Sequence, residues 1–492
     1  METTSTGIGS SAREIGLWVA AAFVARIAFF SITPHVIDSA DSILYLEAAE
    51  RIADGRFAEV YPRIPLLYPA LAALAAQVFT DVETAALVVS LAAGTMLVWP
   101  VVALSYTLHG RAAARISALL VVLWPWLIDY SCRVAPEALY TTLWFGGLAI
   151  GLGAVRAGRA YTVLLPLTLF ALYLARPEGV LLVCAIIAGV ASTAKDRRTA
   201  VRRLAPSVIA LVVAIPAHMW LMHSMSVHAG IAPRFSTSSV EYSFISRGEE
   251  TVRTAAHLGM RTIPVMVGPV LGVLAIAGGV GWRGHERDRR AELAVVLAAV
   301  TQFVAAALST YPEPRYVMAT VIVIAMWSAR GAALLSRAAS TSPQYRWLQH
   351  GPVTVITVMM VAGIWPNVVP SMLGKKSYKP LEYKFAGRWM ASNLEPGLIL
   401  SRKPQVGYYA HMPTSGPAPE DSIEDIRARV ADADMRYVVV DERYSTQMIP
   451  ALTPLLDPEN APRWLRLLKS DLSPYPDARI VIYEVVGGSL AP

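Results

Sequence analysis

Apolar stretches long enough to cross a lipid bilayer recur through the first 370 residues, and no other feature of the chain restricts its fold so tightly. A helix needs about 20 apolar residues to traverse the hydrocarbon core. Runs near that length occupy 15–32, 84–107, 113–130, 138–155, 160–175, 179–194, 204–222, 263–281, 292–309, 316–335 and 352–370. They predict a polytopic α-helical membrane protein with about eleven transmembrane helices. Composition agrees, at 55% hydrophobic and 16% charged over 492 residues, whereas a soluble domain is about a quarter charged. The net charge of +7 calls for no nucleic-acid partner, because surplus Lys and Arg in such chains collect in cytoplasmic loops. Cys132 and Cys184 are too few for a disulfide framework and read as small buried hydrophobes. No small-residue cleavage site follows the first run, which reads as an uncleaved anchor rather than a signal peptide.

Basic residues set the orientation. HGRAAAR (109–115), RAGR (156–159), AKDRRTAVRR (194–203), WRGHERDRR (282–290) and the tract from Arg337 to Arg346 fall on one side if the spans alternate, together with Arg13. That side is predicted to be cytoplasmic, giving an N-in/C-out chain. The opposite loops, 33–83, 129–137, 176–178, 223–262 and 311–315, are then external. LLYPALAALAAQVF (66–79) would break the alternation as a span, and 14 residues of helix reach only about 21 Å. It is expected to lie in or dip into the external interface. The Ala- and Arg-rich composition fits a bacterial chain, so the predicted location is the bacterial inner (plasma) membrane.

Residues 1–370 thus form a transmembrane module, whose external loop 33–83 carries interfacial helices. Residues 371–492 lack a spanning run and predict a small extracytoplasmic α/β domain. There VGYYAHM, MRYVVVDERY and ARIVIYEVV read as strands, while LEYKFAGRWMASNLE and SIEDIRARVADAD read as helices.

The densest carboxylates of the N-terminal half lie in HVIDSADSILYLEAAERIADG, just after the first run. Ser39 or Asp41 caps a helix through Tyr45, Ala49 and Ile52 that stops at Gly55, with Asp41 and Tyr45 on one face. Asp41 is either a plain N-cap or a general base, which contributes roughly 10²–10⁴-fold when it takes a proton from a hydroxyl. Further external charges sit at span ends: Arg63, the series Asp129, Arg133 and Glu137, the pair Arg176 and Glu178 in ARPEG, and Arg315 beside Tyr316 in YPEPRY. Arg26 lies within the first run, at a cost of about 2.5–3.5 kcal/mol on insertion scales. Singly, each arginine is most simply a snorkelling or structurally paired residue. Together they place guanidinium groups on one side, and these suit phosphate by their bidentate geometry. His223, His228 and His257 fit no metal-ligand spacing. Asp38 with Asp41, or Asp129 with Glu137, gives a weak signal for a divalent cation.

The stretches D-S-I-L-Y-L-x-x-A-x-x-I-x-x-G and P-L-L-Y-P, followed by IDYSCRVAPEALY, ARPEG and EPRYVMAT, resemble the C-type (GT-C) glycosyltransferases. The nearest likeness is to the protein O-mannosyltransferases and the lipid A aminoarabinose transferases. RWMASNLEPG, VGYYA and YVVVDE in the tail extend that likeness over nearly the whole chain. The resemblance implies a GT-C fold and transfer of a sugar from a polyprenyl-phosphate carrier to an extracytoplasmic acceptor, with inversion at the anomeric carbon. It assigns the base to Asp41, four residues before Tyr45, although Ser42 stands where many relatives carry a second acid. It places Arg63, Arg315, Tyr316 and Arg176 on the carrier phosphate, and Asp129 or Glu137 on the sugar or acceptor. Asp38, Tyr45 and Glu178 complete the candidate set. The rival readings are a transporter or flippase of lipid-linked sugars, a glycan polymerase or ligase, and a structural assembly protein. A transporter is expected to carry midplane charges and inverted repeats, and the longest external loop is short for a polymerase.

Overall fold

The structure, a computed structural model, describes residues 5–60, 64–79, 81–156, 159–176, 178–228, 248–280, 286–309, 312–341, 343–372, 379–444 and 448–486. The chain divides into two compact units, Met1–Phe29 with Leu46–Ile364, and Phe30–Tyr45 with Trp365–Pro492.

The first unit is helical, and three of the helices run on into residues of the second unit. In chain order come α1 (Ser5–Ile32), α2 (Ala40–Ala53), α3 (Leu67–Ala75), α4 (Val82–Met96), α5 (Val98–His109), α6 (Arg111–Leu123), α7 (Pro125–Ser131) and α8 (Glu137–Arg156). They are followed by α9 (Arg159–Ala175), α10 (Gly179–Ser192), α11 (Arg197–His228), α12 (Gly248–His257), α13 (Ile263–Val280), α14 (Glu286–Leu308), α15 (Met318–Thr341) and α16 (Gly351–Met372). The three shared helices are α1, α2 and α16. Each predicted apolar run is helical over most of its length. Among the described residues, seven helical stretches are long and apolar enough to cross a membrane, and the bent pair α6–α7 makes up to eight. The runs at α9 and α10 have 17 and 14 residues, or about 25 Å and 21 Å of helix, against about 30 Å of hydrocarbon. The expected interfacial segment holds the nine-residue α3.

Small residues set the closest approaches. A Cβ on Gly278 would meet the Trp327 carbonyl oxygen at 2.2 Å, and one on Gly331 the Leu274 carbonyl oxygen at 2.0 Å, so α13 and α15 pack backbone to backbone. A break of 54° separates α6 from α7. Pro125 has no N–H to give the Val121 carbonyl, which is the chemical origin of the break. Arg26, fully buried on α1, supplies the missing donor. Its guanidinium donates to the Val121 oxygen at 3.3 Å, the Ser131 Oγ at 3.1 Å and the Ala22 oxygen at 3.2 Å. Gly94 on α4 makes room for this arrangement, since a Cβ there would lie 1.9 Å from Ser131 Oγ.

The second unit carries a five-stranded sheet of order β2-β1-β3-β5-β4, formed by β1 (Ile399–Ser401), β2 (Thr414–Ser415), β3 (Tyr437–Asp441), β4 (Leu465–Lys469) and β5 (Ile480–Val485). β1 pairs in parallel with β2 and β3, and β5 runs antiparallel to β3 and β4. Alternation along β3 buries both faces: Val438 and Val440 meet Ile426 and Val430 of α19 (Ile423–Asp432), while Tyr437 and Val439 share a core with Tyr383 and Met390 of α17 (Leu381–Asn393). A capping box between Ser422 and Asp425 starts α19.

Two expectations fail here. VGYYAHM is not a strand: α18 (Gln405–Ala410) covers most of it. Its β-prone residues bury Val406, Tyr409 and Ala410 at helical spacing, and His411 ends the helix in a left-handed conformation at φ 53°. Cys184 is not buried but exposed on α10 near Leu181, where a membrane protein presents apolar side chains to lipid.

Candidate active site

In the first unit, the sequence's scattered charges converge at one set of helix ends. Glu137 opens α8 and is 1% exposed. Its carboxylate pairs closely with Arg176 and lies 3.7 Å from Arg315. Arg176 is placed by the tight turn between α9 and α10, where the Gly179 N–H donates to the Arg176 oxygen at 2.9 Å. Only glycine fits there, because a Cβ would come 2.6 Å from the Leu172 oxygen. Arg315 and Tyr316 lie on a 3-10 turn, Pro314–Val317, leading into α15. Both arginines stack against the Tyr316 ring, at 5.1 Å and 5.0 Å from its centroid, and Arg176 also lies 5.5 Å from the Tyr140 ring. The half-exposed Glu313 holds Arg315 at 2.6 Å.

Asp129 and Arg133 form a neighbouring pair at 2.5 Å. Tyr130 feels the charges of both, and also those of Glu137 and Arg315. Glu178 stands at the start of α10, close enough to act electrostatically on Tyr140 and Tyr316. Six sequence candidates, Asp129, Glu137, Arg176, Glu178, Arg315 and Tyr316, therefore share one region.

Three further residues support it. The Tyr140 hydroxyl donates to Gln302 Oε1 at 2.7 Å, and Gln302 Nε2 donates to the Tyr316 oxygen at 2.9 Å. One buried amide on α14 thus ties α8 to the Arg315 turn. Tyr68 on α3 is fully buried and accepts the Ala135 N–H at 3.1 Å, fixing the chain just before Glu137. The signals for these were a lone amide in an apolar run, and the tyrosine in P-L-L-Y-P.

Of the remaining candidates, Asp38, Asp41 and Tyr45 belong to the second unit. Ser39, not Asp41, caps α2: its Oγ accepts the Asp41 N–H at 3.2 Å, leaving Asp41 in the first helical turn. The strand of chain before them is pinned by Ile37 N–H to the Tyr409 hydroxyl at 3.0 Å, and by Lys384 Nζ to the His35 oxygen at 2.9 Å. His35 stacks on Phe30 at 3.8 Å. Burial, with the charges of Lys379 and Lys384, lowers its pKa to about 4. Asp38 acts electrostatically on Tyr444, whose N–H donates to Asp441 at 2.8 Å. Burial pushes the Asp441 carboxyl up, and the Tyr383 hydroxyl donates to it at 3.1 Å. Tyr45 is partly buried in the same unit. Arg63 lies outside the described residues.

Among the described residues, no group of three or more His, Cys, Asp or Glu side chains is arranged to hold a metal ion. Asp129 and Glu137 already face guanidinium groups, which repel a second cation.

The profile of the family described as dolichyl-phosphate-mannose-protein mannosyltransferase matches residues 63–220. ArnT from Cupriavidus metallidurans in the apo state is similar over 98% of this chain and 99% of its own, at 16% identity and a TM-score of 0.58. Its complex with undecaprenyl phosphate matches over 97% and 99%, at 15% identity and 0.58. The archaeal oligosaccharyltransferase AglB from Archaeoglobus fulgidus, in complex with an inhibitory peptide and a dolichol-phosphate, matches at 13% identity and 0.55, over 86% of this chain and 69% of that one. The chain has the C-type glycosyltransferase fold. No curated protein matches it by sequence. Within this GT-C fold, the family profile spans Asp129, Glu137, Arg176 and Glu178 but stops short of Arg315 and begins after Asp41.

Proposed function

We propose that this protein is a membrane glycosyltransferase that moves a hexosyl or pentosyl group from a polyprenyl-phosphate sugar to an acceptor hydroxyl outside the cytoplasm of a bacterial cell. The observation that carries the reading is the buried Glu137 shared between Arg176 and Arg315. One carboxylate against two guanidinium groups leaves that trio with net positive charge at the ends of membrane helices, where a lipid-borne phosphate would lie. ArnT, with the same fold, has been captured with undecaprenyl phosphate, which supports this class of ligand.

In the proposed reaction the acceptor oxygen attacks the anomeric carbon as the carbon–oxygen bond to phosphate breaks, inverting the centre. The acceptor proton passes to Asp41, and the bonding electrons leave with the polyprenyl phosphate. The leaving group is already anionic, so Arg315, Arg176, Tyr316 and Arg63 serve to stabilise its growing charge, and no separate acid is required. Asp129 or Glu137 orients the sugar or acceptor through the network around Tyr130 and Tyr140. The half-exposed Glu313 is the partner that an arriving phosphate displaces from Arg315.

The test is transfer by purified protein in lipid, offered polyprenyl-phosphate sugars. Asp41→Asn should slow transfer roughly 10²–10⁴-fold with carrier binding retained, and Arg315→Ala should weaken carrier binding. Undiminished transfer by the Asp41 variant removes it as base. Movement of carrier sugar across the bilayer without transfer would favour a flippase instead.

A further inference from the structure

Away from that cluster, a cavity of about 330 Å³ opens at the Arg13 end of the first span, lined by Glu14, Trp18, Val102, Tyr106, Arg111 and Arg115 among others. Its walls are apolar along α1 and α5, and its charged rim is formed by Glu14 of α1 with Arg111 and Arg115 at the start of α6. We propose that this groove is a binding site for an anionic phospholipid, independent of the proposed reaction, with the headgroup phosphate on Arg111 and Arg115 and an acyl chain beside Trp18 and Val102.

The geometry favours such an amphiphile on three grounds. First, α1 packs sparsely: only 17% of its apolar window is buried, so lipid must cover much of its surface. Second, the two arginines share one carboxylate. Glu14 accepts from Arg111 at 2.9 Å and 3.2 Å and from Arg115 at 2.5 Å and 3.4 Å. Each guanidinium has five N–H donors, so three on each remain among the described residues, and these side chains are more than half exposed. The rim is therefore one positive charge in excess and faces outward with unused donors. Third, Trp18 and the half-exposed Tyr106 line the groove near the rim, where amphipathic rings sit at headgroup level. Basic pockets between helices at the basic side of a membrane protein suit anionic headgroups by this same chemistry.

The experiment uses the whole protein in detergent, with thermal unfolding and native mass spectrometry as readouts. Phosphatidylglycerol should remain bound and raise the unfolding temperature, whereas phosphatidylcholine with the same chains should not. Arg111→Gln with Arg115→Gln should weaken phosphatidylglycerol retention about 30-fold, the loss of two basic side chains near an anionic headgroup. Equal stabilisation by both lipids overturns the proposal, as does stabilisation by inorganic phosphate alone, which would mark a free-anion site. If the double variant fails to fold, phosphatidylglycerol with brominated chains serves in its place. It should quench fluorescence more in the parent protein than in Trp18→Phe, and quenching of the same size in both refutes the site.

Discussion

The Glu137–Arg176 pair gives the sharpest test of the site's physical logic. The two side chains are 1% and 9% exposed, so water screens their attraction poorly. Removing one partner of a buried pair typically costs about 3–5 kcal/mol, because the other charge is left uncompensated. Arg315 at 3.7 Å adds to the stress, since Glu137→Gln leaves two guanidinium groups beside a neutral amide. The amide oxygen still accepts a hydrogen bond, which places the expected loss near the lower end, about 3 kcal/mol. Arg176→Gln should cost a similar amount by stranding the carboxylate against Arg315 alone. Combining the two replaces an ion pair by an amide pair, and the double variant should be more stable than the sum of the singles by about 2 kcal/mol. Unfolding in mixed micelles by denaturing-detergent titration measures this cycle. The coupling should persist at high salt, because buried pairs lie beyond the reach of counterions. A coupling below about 0.5 kcal/mol, the range of independent sites, would refute the claim that these residues form one electrostatic unit.

Three other outcomes follow from the structure. Gly94→Ala should destabilise the protein by about 1–3 kcal/mol through overpacking, since its methyl would meet Ser131 and crowd Arg26; unchanged detergent-titration stability would contradict the packing described. Glu313→Gln should raise affinity for the proposed carrier phosphate by about two- to fivefold at low salt and less at high salt, as expected for a pair whose carboxylate is half-exposed; weaker carrier binding would show Glu313 to be part of the grip. His35 has a folded-state pKa of about 4 against an ordinary 6.5, so the unfolded chain takes up the proton first. Its contribution is present above pH 6.5, fades as pH falls and levels off below about 4. The raised Asp441 acts with the opposite sign, so the pH dependence of unfolding in His35→Gln, compared with the parent protein, isolates the histidine.

Hydropathy alone marks out the helical segments, because a bilayer imposes length and apolarity on each crossing whatever its neighbours do. The helices α17 and α19 were legible for a similar local reason: stop and capping signals lie within a few residues. VGYYAHM misled because β-branched and aromatic residues state a preference that packing against α17 overrides. The site was half legible. Charges at span ends stand out in a chain this apolar, so Glu137, Arg176 and Arg315 could be named from sequence. Their pairing could not, since the residues lie 39 positions or more apart and belong to three separate helix junctions. Tyr140, Gln302 and Tyr68 carried weaker signals still, as single polar groups within apolar runs whose partners only the tertiary fold supplies.

Arg26 shows how a residue that looks costly in one dimension becomes necessary in three. A guanidinium in the middle of a span is unfavourable unless every donor finds an acceptor, and a proline within a span strands a carbonyl that finds no water in the hydrocarbon. Either feature alone would argue against the helix that contains it. Placed together they cancel, because Arg26 donates to the carbonyl that Pro125 leaves open and to the Ser131 hydroxyl at the far end of α7. That arrangement holds the break before the short helix bearing Asp129 and the last residue of that helix, and so couples the first span to the charged region. The break before α7 is thus held by specific bonds, which is why the methyl added by Gly94→Ala should be felt at Asp129 although the two residues do not belong to the same helix.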